Sequence, residues 1–348
     1  MAGGKGERFW PRSRVTHPKQ LQKVYSDKTL LEETWERARL ITDEKYIFIG
    51  CNAELKKAIL KTHKRIKKSA FVVEPEGRNT APIIALAALE LEDRYPGRVH
   101  IILSADHFIA PPEEFQKTIV TAIAAAREGN LVTLGVRPSR PEVGYGYIQA
   151  GALTSSGYHQ IDSFREKPDA ASAREYLNAG NYYWNAGIFI WQGSTIVQEF
   201  RQHAPDILEP IQKNYASFKK LSAAFPDVPS RPVDIAIMEK SQKVAMVPAS
   251  FTWDDVGSWL SLERICDRDA HGNVVVTRRK KPPQTVTLDA ANNVLVADRK
   301  LIALLGVRDT ILVEEDDVIF LASRERIDDI KSLLGQIKEN PTLQKFLQ

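Results

Sequence analysis

Short apolar runs alternate with amphipathic stretches through the first half of the chain, and this alternation narrows the fold more than any other feature of the sequence. Tyr46-Ile47-Phe48-Ile49, Ala70-Phe71-Val72-Val73, His100-Ile101-Ile102-Leu103 and Leu131-Val132-Thr133-Leu134 read as buried strands. Helical patterns flank and separate them. Residues 29–41 carry Leu31, Trp35 and Ala38; 80–91 carry Ile84, Ala87, Ala88 and Leu91; 112–127 carry Phe115, Ile119, Ala122, Ile123 and Ala126. Strand, helix and strand at short intervals imply right-handed crossovers and an α/β fold with a mainly parallel sheet covered on both faces. Such sheets bind ligands beyond the carboxyl ends of their strands, so the strand-following loops are the places to search.

From about Gly144 the pattern changes. Residues 146–149, 160–164 and 186–191 read as strands separated by longer polar insertions, and 195–202 and 206–215 as helices. Prolines 226, 229 and 232 punctuate a loop over 223–232. Past Cys266, short strands at 273–277, 286–288, 293–297, 301–306, 310–313 and 318–321 follow closely. An amphipathic helix over 326–338, through Ile327, Ile330, Leu333, Leu334 and Ile337, ends the series. The expected division is therefore 1–265 and a small β-rich domain, 266–348, closed by a terminal helix.

With 348 residues, 43% of them hydrophobic, the chain has enough apolar side chains for a substantial core. Cys51 and Cys266 alone exclude a disulfide scaffold and a multi-cysteine zinc site, and suit a reducing, cytoplasmic setting. No apolar run approaches the ~18 residues of a membrane span, and the start resembles no signal peptide. The net charge of +4 is compatible with phosphate-rich ligands. The basic stretch 54–68 places Leu55, Ile59 and Ile66 at helical spacing and interleaves no aromatics, so it reads as a solvated helix face rather than a nucleic-acid surface.

Gly3, Gly4 and Gly6 let backbone N–H groups approach an anion closely, and Arg8 and Lys19 add positive charge. Residues 74–82, Glu-Pro-Glu-Gly-Arg-Asn-Thr-Ala-Pro, follow a strand and open a helix, a setting for reading a base edge or an anion, or for simple capping by Asn79 or Thr80. Asp106 ends a strand, where a divalent ion is held in many α/β sites but where a capping Asp is also common; His107 is given no catalytic role. Asp254 and Asp255 form a second carboxylate pair. Gly144-Tyr145-Gly146-Tyr147-Ile148, Glu166-Lys167-Pro168 and Trp184-Asn185-Ala186-Gly187 offer backbone room, an acid beside an ammonium, and an amide. Singly they are also a turn, a surface ion pair and strand-entry packing.

Taken in order, these strings resemble the sugar-phosphate nucleotidyltransferases, and 74–82 closely resembles the guanine-binding segment of the mannose-1-phosphate guanylyltransferases. The resemblance covers residues 1 to about 262 closely and the tail more loosely. It implies a Rossmann-like nucleotidyltransferase domain, then a short left-handed β-helix. It also implies an enzyme that transfers GMP from GTP to α-D-mannose 1-phosphate, giving GDP-mannose and pyrophosphate. On it, Arg8, Lys19, Asp106 and Asp255 are the catalytic candidates, with Asp106 and Asp255 holding Mg²⁺. Gly3, Gly4, Gly6, Glu74, Glu76, Asn79 and Thr80 face the nucleotide; Gly146, Tyr147, Glu166, Lys167 and Asn185 face the sugar phosphate. Asp234 and Glu239, in a string that also matches the family, read as parts of a packed helix. The β-rich tail is a candidate homodimer surface. Alternatives are another sugar 1-phosphate, such as a heptose, or a non-catalytic nucleotide-sugar-sensing subunit. The tail lacks a clean hexapeptide repeat, and the phosphomannose isomerase domain of longer relatives is not expected. Family members place an apolar strand before the glycine loop, whereas only Met1 and Ala2 stand here. The expectation is a sheet lacking its central strand and a poorly anchored loop.

Overall fold

The computed structural model describes residues 1–4 and 6–348. The chain forms two compact units. The first comprises Met1–Gly3, Arg37–Ser104 and Ile109–Trp253; the second comprises Gly4–Glu36, Ala105–Phe108 and Asp254–Gln348.

The first unit is built on a six-stranded sheet. Its strands lie in the order Val99–Ile102, Tyr182–Gln192, Leu131–Val136, Val244–Pro248, His159–Arg165 and Tyr147–Leu153. Alternation along each strand deals side chains to two cores. Leu131, Phe189, Trp191, Val244 and Met246 pack with Ile84, Leu86 and Phe200 on one face. Val132, Ile188, Ile190, Ala245 and Val247 pack with Phe115, Ile119 and Ala122 on the other. Both faces are thus covered, as the alternation of elements implies. The Pro112–Arg127 helix begins at the proline, whose fixed φ suits a first helical position.

The α/β class holds, while the pairing within the large sheet is mixed rather than mainly parallel. Leu131–Val136 and Val244–Pro248 run parallel. Tyr182–Gln192 runs antiparallel to Val99–Ile102, to Leu131–Val136 and to Tyr147–Leu153. Of the later strands, Val244–Pro248 still pairs in parallel, whereas Tyr147–Leu153 and His159–Arg165 are joined by the turn 154–158 and therefore run antiparallel. The strand expected at 46–49 begins at Ile49, because the N–H groups of Tyr46 and Ile47 close a tight turn on the carbonyls of Asp43 and Glu44. Ile49–Asn52 pairs in parallel with Phe71–Glu74 as a separate two-stranded sheet. The Met1 ammonium donates to the Leu103 carbonyl at 2.8 Å and the Ala2 N–H to the Gly50 carbonyl at 2.9 Å. These two residues therefore bridge from the small sheet to the end of the Val99–Ile102 strand. Asp234–Met238, expected as an ordinary helix, is a single π-turn.

In the second unit the tail winds into stacked parallel rungs. Val274–Val276, Val294–Val296 and Thr310–Glu314 pair in parallel, Thr285–Leu288 pairs in parallel with Ile302–Leu305, and Ile319–Ser323 closes the stack antiparallel. Val274, Val294 and Ile311 fall in one column and Val276, Val296 and Val313 in another, all buried. Val294 lies twenty residues after Val274 but Ile311 only seventeen after Val294, so unequal turns hide the repeat from a periodicity search. Among the described residues no helix is long and apolar enough to cross a membrane.

Asn293 locks this stack. Its backbone N–H and Nδ2 donate to Asn273 Oδ1, Nδ2 also donates to the Val307 carbonyl, and Oδ1 accepts the Thr310 N–H. Asn293→Ala strips side-chain partners from three buried or half-buried polar groups and should cost about 3 kcal/mol. An unchanged urea midpoint would refute the lock.

Candidate functional site

Gly4, Gly6, Arg8, Lys19, Asp106 and Asp255 all belong to the second unit. Gly6 has φ +63, and a Cβ there would sit 2.4 Å from Lys19 Cβ and 2.7 Å from Ser13 Oγ, so this position admits no side chain. Gly4, at φ +93, accepts a hydrogen bond from Gln20 Nε2 at its carbonyl. Lys19 opens a short turn after Pro18 and is buried. Its ammonium donates to Asp106 Oδ2 at 2.7 Å and to the Asp255 backbone carbonyl at 3.3 Å. Burial, the largest single influence, would raise the Asp106 carboxyl, but the charge of Lys19, the charge of His107 and the hydrogen bond from Lys19 together hold the group below its ordinary range. Arg8 is exposed, on the turn Glu7–Phe9.

The two adjacent carboxylates have different fates. Asp254 is buried, accepts the Val256 N–H at 2.8 Å, and is clasped by Arg264 through Nε at 2.5 Å and Nη2 at 3.1 Å. Asp255 instead stands over Gly257, where a Cβ would come 2.6 Å from its Oδ2. Between them Val256 is held at φ +47, a strained conformation for a β-branched residue. Among the described residues no three His, Cys, Asp or Glu side chains converge as a metal-holding group. Asp106 and Asp255 supply a pair of hard oxygen donors, and Asp106 already takes a cationic partner in Lys19.

The first unit carries the remaining strings. Glu74 ends the Phe71–Glu74 strand; it is buried, accepts the Arg78 N–H, and leaves Oε2 without a hydrogen-bond partner among the described residues. Burial, reinforced by Glu76, pushes its pKa up to about 7. Glu76 is exposed and paired with Arg78. Asn79, at φ +68, caps the Thr80–Arg94 helix by accepting the Thr80 N–H at 3.0 Å. Thr80 Oγ1 accepts the Val233 N–H at 2.8 Å. Gly3 is exposed, and a Cβ there would meet nothing within 4 Å.

Gly146, Glu166, Lys167 and Asn185 come together. A Cβ on Gly146 would meet Glu166 Oε2 at 2.7 Å and Asn185 Cβ at 3.3 Å, and Lys167 Nζ lies 3.4 Å from Glu166. Lys167 is at φ +47. Tyr147 shares only its backbone with this group; its ring is fully buried with Ala173 and Trp184. Asn185 Oδ1 accepts from Thr133 Oγ1 at 2.8 Å and from the Gly187 N–H at 3.1 Å, while Nδ2 donates to Asp234 Oδ1 at 2.8 Å. The amide is thereby fixed, its oxygen consumed and one N–H left over among the described residues. Neither Thr133 nor Asp234 is among the residues chosen for the site from sequence. The available signal for Thr133 is a lone hydroxyl inside an apolar strand.

Burial and the neighbouring Glu166 push the Asp234 carboxyl up to about 7. Its pKa is higher in the folded than in the unfolded chain, so the unfolded chain holds fewer protons between pH 3.8 and about 7, and stability falls as pH rises through that window. Asp234→Asn keeps an acceptor for Asn185 and removes the titration. The variant should gain on the wild type by on the order of 1 kcal/mol between about pH 5 and about pH 8. Parallel melting profiles across that range would refute this.

The sequence model of the Nucleotidyl transferase family matches residues 1–271, and that of the MannoseP isomerase/GMP-like beta-helix domain matches residues 283–337. Xanthan biosynthesis protein XanB of Xanthomonas campestris pv. campestris (strain B100) is 38% identical over 97% of this chain and 72% of its own length. A mannose-1-phosphate guanylyltransferase of Klebsiella pneumoniae is 36% identical over 98% of this chain and 73% of its own. A Thermus thermophilus crystal structure, described as mannose-1-phosphate geranyltransferase, superposes with a TM-score of 0.87 at 32% identity, covering 97% of this chain and 98% of that one. With a family model spanning most of its length and relatives aligned over nearly all of it, the chain belongs to the nucleotidyl transferase family of enzymes.

Proposed function

We propose that this chain transfers GMP from GTP to α-D-mannose 1-phosphate, producing GDP-mannose and pyrophosphate. The observation that carries the reading is the Lys19 ammonium, held between the Asp106 carboxylate and the Asp255 carbonyl against a glycine that admits no side chain. This constellation stands in a chain whose relatives include mannose-1-phosphate guanylyltransferases. A phosphate oxygen of the sugar phosphate forms a bond to the α-phosphorus of GTP. The bond from that phosphorus to the bridging oxygen breaks, and pyrophosphate leaves with the electron pair. No protein nucleophile is required, so the protein contributes position and charge.

Lys19 and Arg8 take the triphosphate, and the amides of Gly4 and Gly6 approach its oxygens. The residues 74–80 take the guanine. Lys167 orients the sugar phosphate, Glu166 accepts from sugar hydroxyls, and Asn185, its oxygen already used, donates to a sugar or phosphate oxygen. Asp106 and Asp255 would hold a divalent cation such as Mg²⁺, whose charge would neutralise the phosphates. The two free cysteines suit action in the cytoplasm.

Pyrophosphate release with mannose 1-phosphate and Mg²⁺, compared across GTP, ATP, UTP and dTTP, tests the reading. Turnover should require GTP; release with another nucleotide would overturn the guanine assignment, and silence with all four would overturn the reaction. Two substitutions probe the carboxylate. Asp255→Ala should lower turnover at least ~10²-fold with an unchanged circular dichroism spectrum. Gly257→Ala, which drives a methyl group into the Asp255 carboxylate, should lower it ~10-fold or more. Wild-type rates in either variant would remove Asp255 from the chemistry.

A further inference from the structure

The segment that carries Lys19 is held by the β-rich tail of its own unit. Arg12 Nη1 donates to the Lys23 carbonyl at 3.1 Å, closing the stretch 12–23 around Lys19. Arg12 Nε lies 2.7 Å from Glu315 Oε1, and the Arg12 side chain is only 1% exposed. The other oxygen of Glu315 lies 3.0 Å from Arg278 Nη1, and Arg278 is also paired with Asp298. Glu315 thus spends one oxygen on the Lys19 segment and the other on the turn of a tail rung. Two arginines and two carboxylates balance here, Arg12 fully buried and Arg278 partly exposed, and removing Glu315 leaves the buried Arg12 charge without its carboxylate. Neighbouring contacts include the tilted Phe9 and Trp259 rings, with centres 4.8 Å apart, the Trp259 Nε1–H donating to the Trp10 carbonyl at 3.0 Å, and the Trp10 Nε1–H donating to the Phe346 carbonyl at 2.9 Å. Within 12–23 itself Arg14 is also paired with Asp317, the Val15 N–H donates to the Leu347 carbonyl at 3.1 Å, and the Arg12 guanidinium lies 5.8 Å from the Trp259 ring centre, so Glu315 shares the hold on this segment with them.

We propose that Glu315 is a positioning residue for nucleotidyl transfer: by fixing Arg12 it sets the 12–23 segment that presents Lys19 to Asp106. The inference rests on the reading of Lys19 as a triphosphate ligand. A displaced ammonium weakens its hold on the phosphates and leaves the sugar-phosphate residues of the first unit untouched. The effect should therefore fall on one substrate.

Glu315→Gln and Glu315→Ala are compared with Glu314→Gln, whose carboxylate pairs with the exposed Lys300 instead. Hydrogen exchange of peptides covering 7–23 reads the segment without any need for activity, and peptides covering 131–136 serve as the internal reference. Both Glu315 variants should speed exchange in 7–23 only, and should raise the KM for GTP or lower kcat by ~10-fold while KM for mannose 1-phosphate stays within about twofold. Glu314→Gln should do neither. Unchanged exchange in 7–23, equal rises in both KM values, or matching behaviour of Glu314→Gln would overturn the proposal. Wild-type protein silent with every nucleotide would sink the reaction proposed above, and the exchange measurement would still decide whether Glu315 holds the segment.

Discussion

One ammonium group organises the second unit. Lys19 Nζ meets a carboxylate from Asp106 and a backbone carbonyl from Asp255, residues that stand far from it and from each other in sequence. A buried charge is tolerated only where partners replace its water, so the three stretches must arrive together or not at all. Gly6 is the steric counterpart of this electrostatic demand. Any side chain there would collide with Lys19 itself, and the left-handed turn it adopts favours glycine in any case.

Backbone strain falls in two kinds of place. Six non-glycine residues among those described have positive φ. Three are Asp289, Asn292 and Asp309, Asp or Asn residues in the turns between tail rungs, the side chains that tolerate this region best. The other three are Asn79, Lys167 and Val256, one in each of three strings that sequence reasoning singles out for function. Strain of this kind persists only where the surroundings over-determine it. At Val256 those surroundings are visible: Asp254 is clasped by Arg264 and takes the Val256 N–H, which turns Asp255 away over Gly257. Within the first unit a second chain of contacts runs from Thr80 through Val233 and Asp234 to Asn185, tying the loop that opens a helix to the amide beside Glu166.

Much of this was legible before any coordinates. The helix over 112–127 is visible to the residue, because its apolar spacing starts at a proline suited to a helix N-terminus. The strands over 131–134 and 100–103 need only extension or a shift of one residue. Mixed pairing was not legible, because Tyr182–Gln192 is apolar nearly throughout and such a run does not reveal its direction. The rungs of the tail were visible as strands, while their stacking was implied only by the family resemblance, since unequal turn lengths erase the repeat. The expectation of a poorly anchored glycine loop treated a preceding strand as its only support. In the structure Arg12, Arg14 and Trp10 tie that segment to Glu315, Asp317 and the Phe346 carbonyl, a support some three hundred residues away in sequence.

What the sequence by itself determined was local: which stretches are helix or strand, where glycine is required, and which side chains have the chemistry to meet phosphate, base and sugar. Periodicity and residue type carry that information because they depend on neighbours within a turn or a strand. Only the tertiary structure decided which of two adjacent aspartates is clasped by an arginine and which offers its backbone carbonyl to Lys19, that Asn185 spends its oxygen on Thr133 and Gly187 and an N–H on Asp234, and that Glu315 shares its two oxygens between Arg12 and Arg278. Each of these depends on partners brought together from distant stretches of chain, and the energy of a buried charge or amide is set by those partners rather than by its own place in the sequence.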